Sequence, residues 1–359
     1  YGLVGQWLFA HHANAQAYAY FCRAGDFERI LDLLNDTSNI TYGSPYYEGL
    51  FDLFSSLPRE TLFKYPFAYL QYITMRIVVG GPDGTRDSVT RLSELQAAYE
   101  GMEGLDPRFK NQFLAEAALI RTVSVFNDVV QMAACIREAL RLFDGGTSCI
   151  FRQENVVGFA SPHQLYTYYK EPGKLKETAD FMTAEFPAFV QATNGCCTGN
   201  DYLTTAEYAL ETGDWQAAEL NAFKTIYKAQ SRNQVSLVID ASLTLMRLYI
   251  YQGKTNEALE VLQQLQEDHA IKNTVYLNTA LELVKGYIYA CLGRYSSIPI
   301  WLQTGDMSSA QLMFQGVAFN YIVYGKAVLL SKNYIKLEML TEEFNRYFSV
   351  FHNQLGFLH

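Results

Sequence analysis

The sequence predicts an all-α chain, a superhelical array of antiparallel helix hairpins with a period of about 40 residues. Three observations carry this reading. A turn tripeptide recurs at Gly173-Lys174-Leu175, Gly213-Asp214-Trp215, Gly253-Lys254-Thr255 and Gly293-Arg294-Tyr295, each 40 residues after the last. Apolar residues at helical spacing flank the glycines, as at Leu243, Met246 and Ile250 before Gly253 and Ala258, Leu259, Leu262 and Leu265 after it. No segment shows the alternation of a strand.

Each repeat is therefore a helix, a turn and a second helix. Glycine ends the first helix because the residue after a helix adopts a left-handed backbone that glycine reaches without steric cost. Lys332-Asn333-Tyr334 continues the series one residue early, and Gly25-Asp26-Phe27, Gly84-Thr85-Arg86 and Asn127-Asp128-Val129 are weaker members upstream. Gly80-Gly81-Pro82-Asp83-Gly84, Gly145-Gly146 and the run from Asn194 to Asn200 read as loops. The second of these separates degenerate N-terminal repeats, 1–145, from regular C-terminal repeats, 146–359, within one continuous solenoid.

The turns resemble the tetratricopeptide repeat, which reads Gly-Asp-Tyr at the turn with a tyrosine four residues before the glycine and an alanine five after it. Tyr169, Tyr249 and Tyr289 match the tyrosine, Ala218 and Ala258 match the alanine, and Gly286 matches the small residue seven before the turn. Ala209, Ile298 and Leu337 depart from the pattern, and the period exceeds the usual 34. Longer helices or inter-repeat loops take up the excess. Trp215, Leu262 and Tyr289 are expected to fill space between neighbouring helices.

With hydrophobic residues at 49 % and charged residues at 18 %, the chain can bury a large core. Net charge is -9 and the basic residues are scattered singly, so direct nucleic-acid binding by this stretch is disfavoured. No apolar run reaches membrane-span length, and the start of the sequence lacks the pattern of a signal peptide. A cytoplasmic location is expected, with two sequons at Asn35 and Asn39 read as chance matches. The start at Tyr1 suggests a fragment of a longer protein. The six cysteines, with no C-x-x-C spacing, read as reduced and mostly buried thiols.

No catalytic residue, metal site or cofactor is predicted. H-E-x-x-H, G-x-S-x-G and G-x-G-x-x-G are all absent, and Gly253-Lys254-Thr255 lacks the earlier glycine of a phosphate loop because Leu248 stands there. His11 and His12 are adjacent and point to different helix faces, while His163 follows Ser161-Pro162 at a helix start and suits a cap. Binding is the better expectation. Stacked hairpins line a concave groove with their first helices, and the residue six before each turn should face it. Those residues are Arg121, Thr167, Glu207, Arg247, Tyr287 and Lys326, joined by His163 and Tyr251. Arginine beside tyrosine suits a sugar, carboxylate or peptide. If Arg247 and Tyr287 stand in an open groove, alanine at both should weaken binding and leave the melting temperature nearly unchanged.

Two stretches carry a further resemblance. Gln6-Trp7-Leu8-Phe9-Ala10-His11-His12 with Ala15 to Leu31 resembles the junction at which the winged-helix region of LuxR-family, MalT-like bacterial transcriptional regulators passes into helical repeats, and Leu165 to Leu175 with Thr193-Asn194-Gly195 resembles their repeat region. That resemblance implies a sensor of a small-molecule effector or a protein partner, separated from its ATPase module. DNA would be bound only through a C-terminal helix-turn-helix outside this stretch. A free-standing tetratricopeptide scaffold that bridges proteins is the alternative.

Overall fold

The computed structural model describes residues 1–38, 40, 49–125, 127–153, 161–272, 274–306 and 317–358. Among these, 77 % are helical and none is in a strand. The chain forms two compact units. Unit 1 comprises Tyr1–Val125, Gln131–Arg152 and Gln191–Asn194, and unit 2 comprises Phe126–Val130, Gln153–Val190 and Gly195–His359.

Most of unit 1 is α1 (Gly2–Ala10), α2 (Asn14–Ala24), α3 (Phe27–Asn35), α4 (Leu50–Ser56), α5 (Arg59–Leu62), α6 (Pro66–Val79), α7 (Gly81–Glu100), α8 (Pro107–Ser124) and α9 (Val129–Phe143). Gly25 (φ 69°) and, in unit 2, Asn127 (φ 56°) adopt the left-handed backbone expected of the weaker upstream turns. Gly84 does not turn the chain. It lies inside α7, and only Gly80 separates α6 from α7. Pro82 is tolerated because the first helical turn needs no donor from it. A Cβ on Gly80 would stand 2.4 Å from the Arg76 carbonyl oxygen, so this glycine serves close approach rather than a left-handed backbone. Phe67, Tyr99, Phe109 and Phe113 pack ring against ring between α6, α7 and α8.

Unit 2 holds the regular repeats. Its helices are α10 (Gln164–Tyr168), α11 (Leu175–Ala192), α12 (Asn200–Thr212), α13 (Trp215–Gln230), α14 (Val235–Tyr251), α15 (Thr255–Glu267), α16 (His269–Lys272), α17 (Val275–Cys291), α18 (Ile300–Thr304), α19 (Val317–Leu330), α20 (Tyr334–Phe351) and α21 (Gln354–Leu358). Gly173, Gly213, Gly253 and Gly293 all adopt positive φ, between 69° and 82°. Three of these turns share one pair of backbone bonds: Gly213 to Leu210 and Asp214 to Ala209, Gly253 to Ile250 and Lys254 to Tyr249, Gly293 to Ala290 and Arg294 to Tyr289. The second bond of each pair spans five residues and closes the helix end. Asp214 then caps the next helix by accepting from the Ala217 N–H at 3.1 Å, and Asn333 does the same for Lys336 at 3.0 Å.

The last turn substitutes Lys332 for glycine at φ 58°. A side chain in this region is strained by roughly 1 kcal/mol. Lys332→Gly is expected to raise stability by about 0.5–1 kcal/mol, read from the urea midpoint.

Ala218 and Ala258 are fully buried where the hairpin helices meet. Gly286 does the same for α17: a Cβ there would lie 2.6 Å from Leu302 and 2.9 Å from Val323. Leu262 is buried and Tyr289 half-buried, but Trp215 is 44 % exposed. As the first residue of α13 it precedes the turn that packs, so its bulk does not fill the interhelical space.

The first helices form an inner layer. In unit 2, α10 packs on α12, α12 on α14, α14 on α17, and α17 on α19. The circuit then closes, because α21 contacts both α19 and α10. The Asn353 amide donates to the Tyr166 carbonyl, the Gln354 backbone N–H to the Tyr169 carbonyl at 3.1 Å, and the Gln354 side chain to the Lys170 carbonyl at 2.9 Å. An open row of first helices would leave the polar end groups of α10 to water; here the last segment of the chain takes them up.

Candidate functional site

The sequence places a polar residue six positions before each turn, and α12, α14 and α17 bring three of these together. Glu207, Arg247 and Tyr287 recur at the repeat interval and form one rung of the inner layer. Four residues onward, one helical turn toward the C-terminal end, stand Glu211, Tyr251 and Cys291 as a second rung. The first rung is interior, with Glu207 at 0 % exposure and Arg247 and Tyr287 at 3 % each. The second opens outward: Tyr251 is 50 % exposed and Cys291 is exposed.

Arg247 is the centre. Its Nη1 donates to Glu211 Oε1 at 2.8 Å and its Nη2 to the Tyr251 hydroxyl at 3.2 Å. The guanidinium lies 5.8 Å from the Tyr287 ring and 5.9 Å from the rings of Tyr166 and Tyr251. Three aromatic faces around one guanidinium compensate part of its lost hydration. Phe319 of α19 extends the cage, stacking on Tyr287 at 5.7 Å and meeting Tyr166 edge-on at 5.4 Å. Lys326 completes it, with its ammonium 5.4 Å from the Tyr287 ring.

Glu207 has a different task. Its two oxygens accept the Gln164 and Leu165 N–H groups at 2.9 and 2.8 Å, so it supplies the first acceptors of α10. His163 is the N-cap of that helix: its Nδ1 accepts from the Tyr166 N–H at 3.4 Å. The same Nδ1 lies 3.3 Å from Glu207, and Nε2 lies 3.5 Å from Glu211, a contact without hydrogen-bond geometry. Thr167 is buried on α10, and its carbonyl accepts from Asn127 at 3.3 Å. Arg121 belongs to unit 1, where it donates to Gln96 at 2.5 Å and to Glu138 at 2.6 Å.

The two glutamates titrate in opposite directions. Burial raises the pKa of Glu207, and His163 and the two N–H donors only partly offset it. Burial pushes Glu211 the same way, but the His163 contact and the Arg247 charge outweigh it and hold the carboxyl at about 2. A carboxyl whose folded pKa is depressed contributes stability that is complete above the unfolded value and is lost as pH falls toward the folded one. Stability from Glu211 is therefore expected to fall between about pH 5 and pH 2, and Glu207, shifted upward, opposes that loss. Glu211→Gln should flatten the acid limb of the urea midpoint plotted against pH; an unchanged limb would remove Glu211 from this role.

Burial corrects two expectations. Arg247 and Tyr287 do not stand in an open, hydrated groove, because the rings of Tyr166, Tyr251 and Phe319 enclose them; alanine at both will cost stability. The cysteines are not mostly buried either, since only Cys196 and Cys197 are, with Cys22, Cys135 and Cys149 half-buried. Sequence reasoning missed Glu211, Tyr166 and Phe319. The first was within reach, because it repeats the offset of Tyr251 from Arg247. The others stand at different repeat offsets, Tyr166 seven residues before Gly173 and Phe319 thirteen before Lys332, which the offset chosen for the groove does not select.

No protein-family model, curated protein or solved structure matches this chain. No described helix is long and apolar enough to cross a membrane.

Proposed function

We propose that the chain is a helical-repeat sensing domain of a LuxR-family, MalT-like regulator, and that unit 2 takes a small-molecule effector at the mouth between Tyr251, Cys291 and Lys326. One observation supports this most. Equivalent residues of successive repeats converge on a charged and aromatic cluster that grades from exposed at Tyr251 to buried at Arg247. Interior charge of this kind adds little to stability compared with apolar packing, so its use in recognition is the more economical explanation. Tyr166 gives the site a route outward, since its ring faces Arg247 while its carbonyl holds Asn353 of the closing segment. A bound effector shifts the segment's equilibrium only by what it gains from one arrangement of Tyr166 over another. DNA reading would fall to a helix-turn-helix outside this stretch.

A thermal-shift panel of sugars, amino acids and nucleotides tests the reading. Saturable protection whose midpoint shifts in Tyr251→Ala supports it, and protection by no member counts against it. The scaffold alternative rests on α13, where Leu220, Phe223 and Tyr227 form an exposed apolar stripe at 54, 51 and 74 % exposure. Serine at Leu220 and Phe223 would abolish partner binding if that surface were the functional one.

A further inference from the structure

Arg247 is only partly satisfied. Glu211 engages one end of its guanidinium through Nη1, but the Nε–Nη2 edge, the side-on fork that matches the two oxygens of a carboxylate, is differently occupied. Nη2 has the Tyr251 hydroxyl at 3.2 Å, and Nε, buried with the rest of the side chain, has no hydrogen-bond partner. A buried charged donor left unmade is costly. Tyr251, half-exposed at the end of α14, covers one donor of a two-donor fork and can swing away into solvent.

The local charge points the same way. Lys326 lies against the Tyr287 ring that Arg247 also approaches, and among the described residues no carboxylate pairs with it. Around this mouth two cations thus face one ionised partner, Glu211, while Glu207 is committed to the N–H groups of α10. Cys291 senses the surplus: desolvation raises its thiol pKa although the residue is exposed, and Lys326 and Arg247 both pull it back down. An organic cation, the usual guest of tyrosine cages, finds this one filled by the protein's own guanidinium.

We infer that the ligand of this mouth is a small carboxylate, its two oxygens on the Nε–Nη2 edge of Arg247 in place of the Tyr251 hydroxyl, its charge balanced by Lys326 and its body against the Tyr287 ring. This rests on the sensing-domain reading above and adds the chemical class.

Benzoate and its uncharged analogue benzamide, titrated at constant ionic strength into the intact chain, test the class. Benzoate is expected to bind with Kd on the order of 1 mM, as suits a fragment of its size. At about 20 mM it should raise the melting temperature by about 3 °C, with benzamide giving less than a third of that. Tyr251→Phe removes the competing hydroxyl without touching the core and should tighten benzoate about 3-fold. Lys326→Gln should weaken it about 5-fold. Equal protection by benzoate and benzamide, stronger protection by tetramethylammonium, or unchanged affinity in both variants would overturn the assignment. If a sugar or nucleotide protects through Tyr251 while benzoate does not, the carboxylate class fails and the sensing domain stands; if nothing protects, both fail.

Discussion

Arg247→Ala is expected to destabilise unit 2 by about 3–5 kcal/mol, because it leaves a buried partner charge uncompensated. The effect exceeds that of an ordinary surface arginine, which lies within about 0.5 kcal/mol. Three rings lose the cation they enclose, and Glu211, ionised and 14 % exposed, loses the group that holds its pKa down. The paired change Arg247→Met with Glu211→Leu should recover most of the loss, since an apolar pair of similar volume needs no compensating charge. Urea denaturation gives the size, and amide exchange in α12 and α14 localises it, which matters in a chain of two units where one transition cannot be assumed. If the single change cost less than about 1 kcal/mol, the cluster would be hydrated and the interior setting of Arg247 wrong.

Glu207→Ala is expected to cost about 3–4 kcal/mol by a different route, two buried N–H groups left without acceptors at about 1–3 kcal/mol each, discounted for relaxation. α10 is only five residues long, too short to hold itself as a helix, so its position depends on these bonds and on the His163 cap. Because α10 is also where α21 closes the circuit, the loss should spread, with faster exchange at the Gln354 amide as well as at Gln164 and Leu165. Glu207→Gln retains one acceptor oxygen but turns an NH2 group toward a backbone donor, so an intermediate cost of about 1–2 kcal/mol is expected. A neutral effect of alanine would mean that water, not Glu207, satisfies α10. Unit 1 offers a parallel, since buried Glu116 accepts the Cys149 N–H at 2.6 Å and the Ser148 hydroxyl at 2.5 Å.

The sequence by itself determined the helical class, the turns at Gly173, Gly213, Gly253 and Gly293, and the equivalence of Glu207, Arg247 and Tyr287. Each is local or periodic: a left-handed backbone selects glycine, and helical spacing at a fixed interval needs no knowledge of distant contacts. Gly80 shows the limit, because a glycine required for close approach looks the same in sequence as one required for a turn. Only the tertiary structure decided that the inner layer closes. The bond from Asn353 to Tyr166 spans 187 residues, and no repeat pattern announces it. Positions meant for a wet wall are a buried cluster, with the arginine caged by tyrosines and the glutamates shifted apart. Burial follows from what packs on the far side of a residue, and the repeat sequence records only the near side.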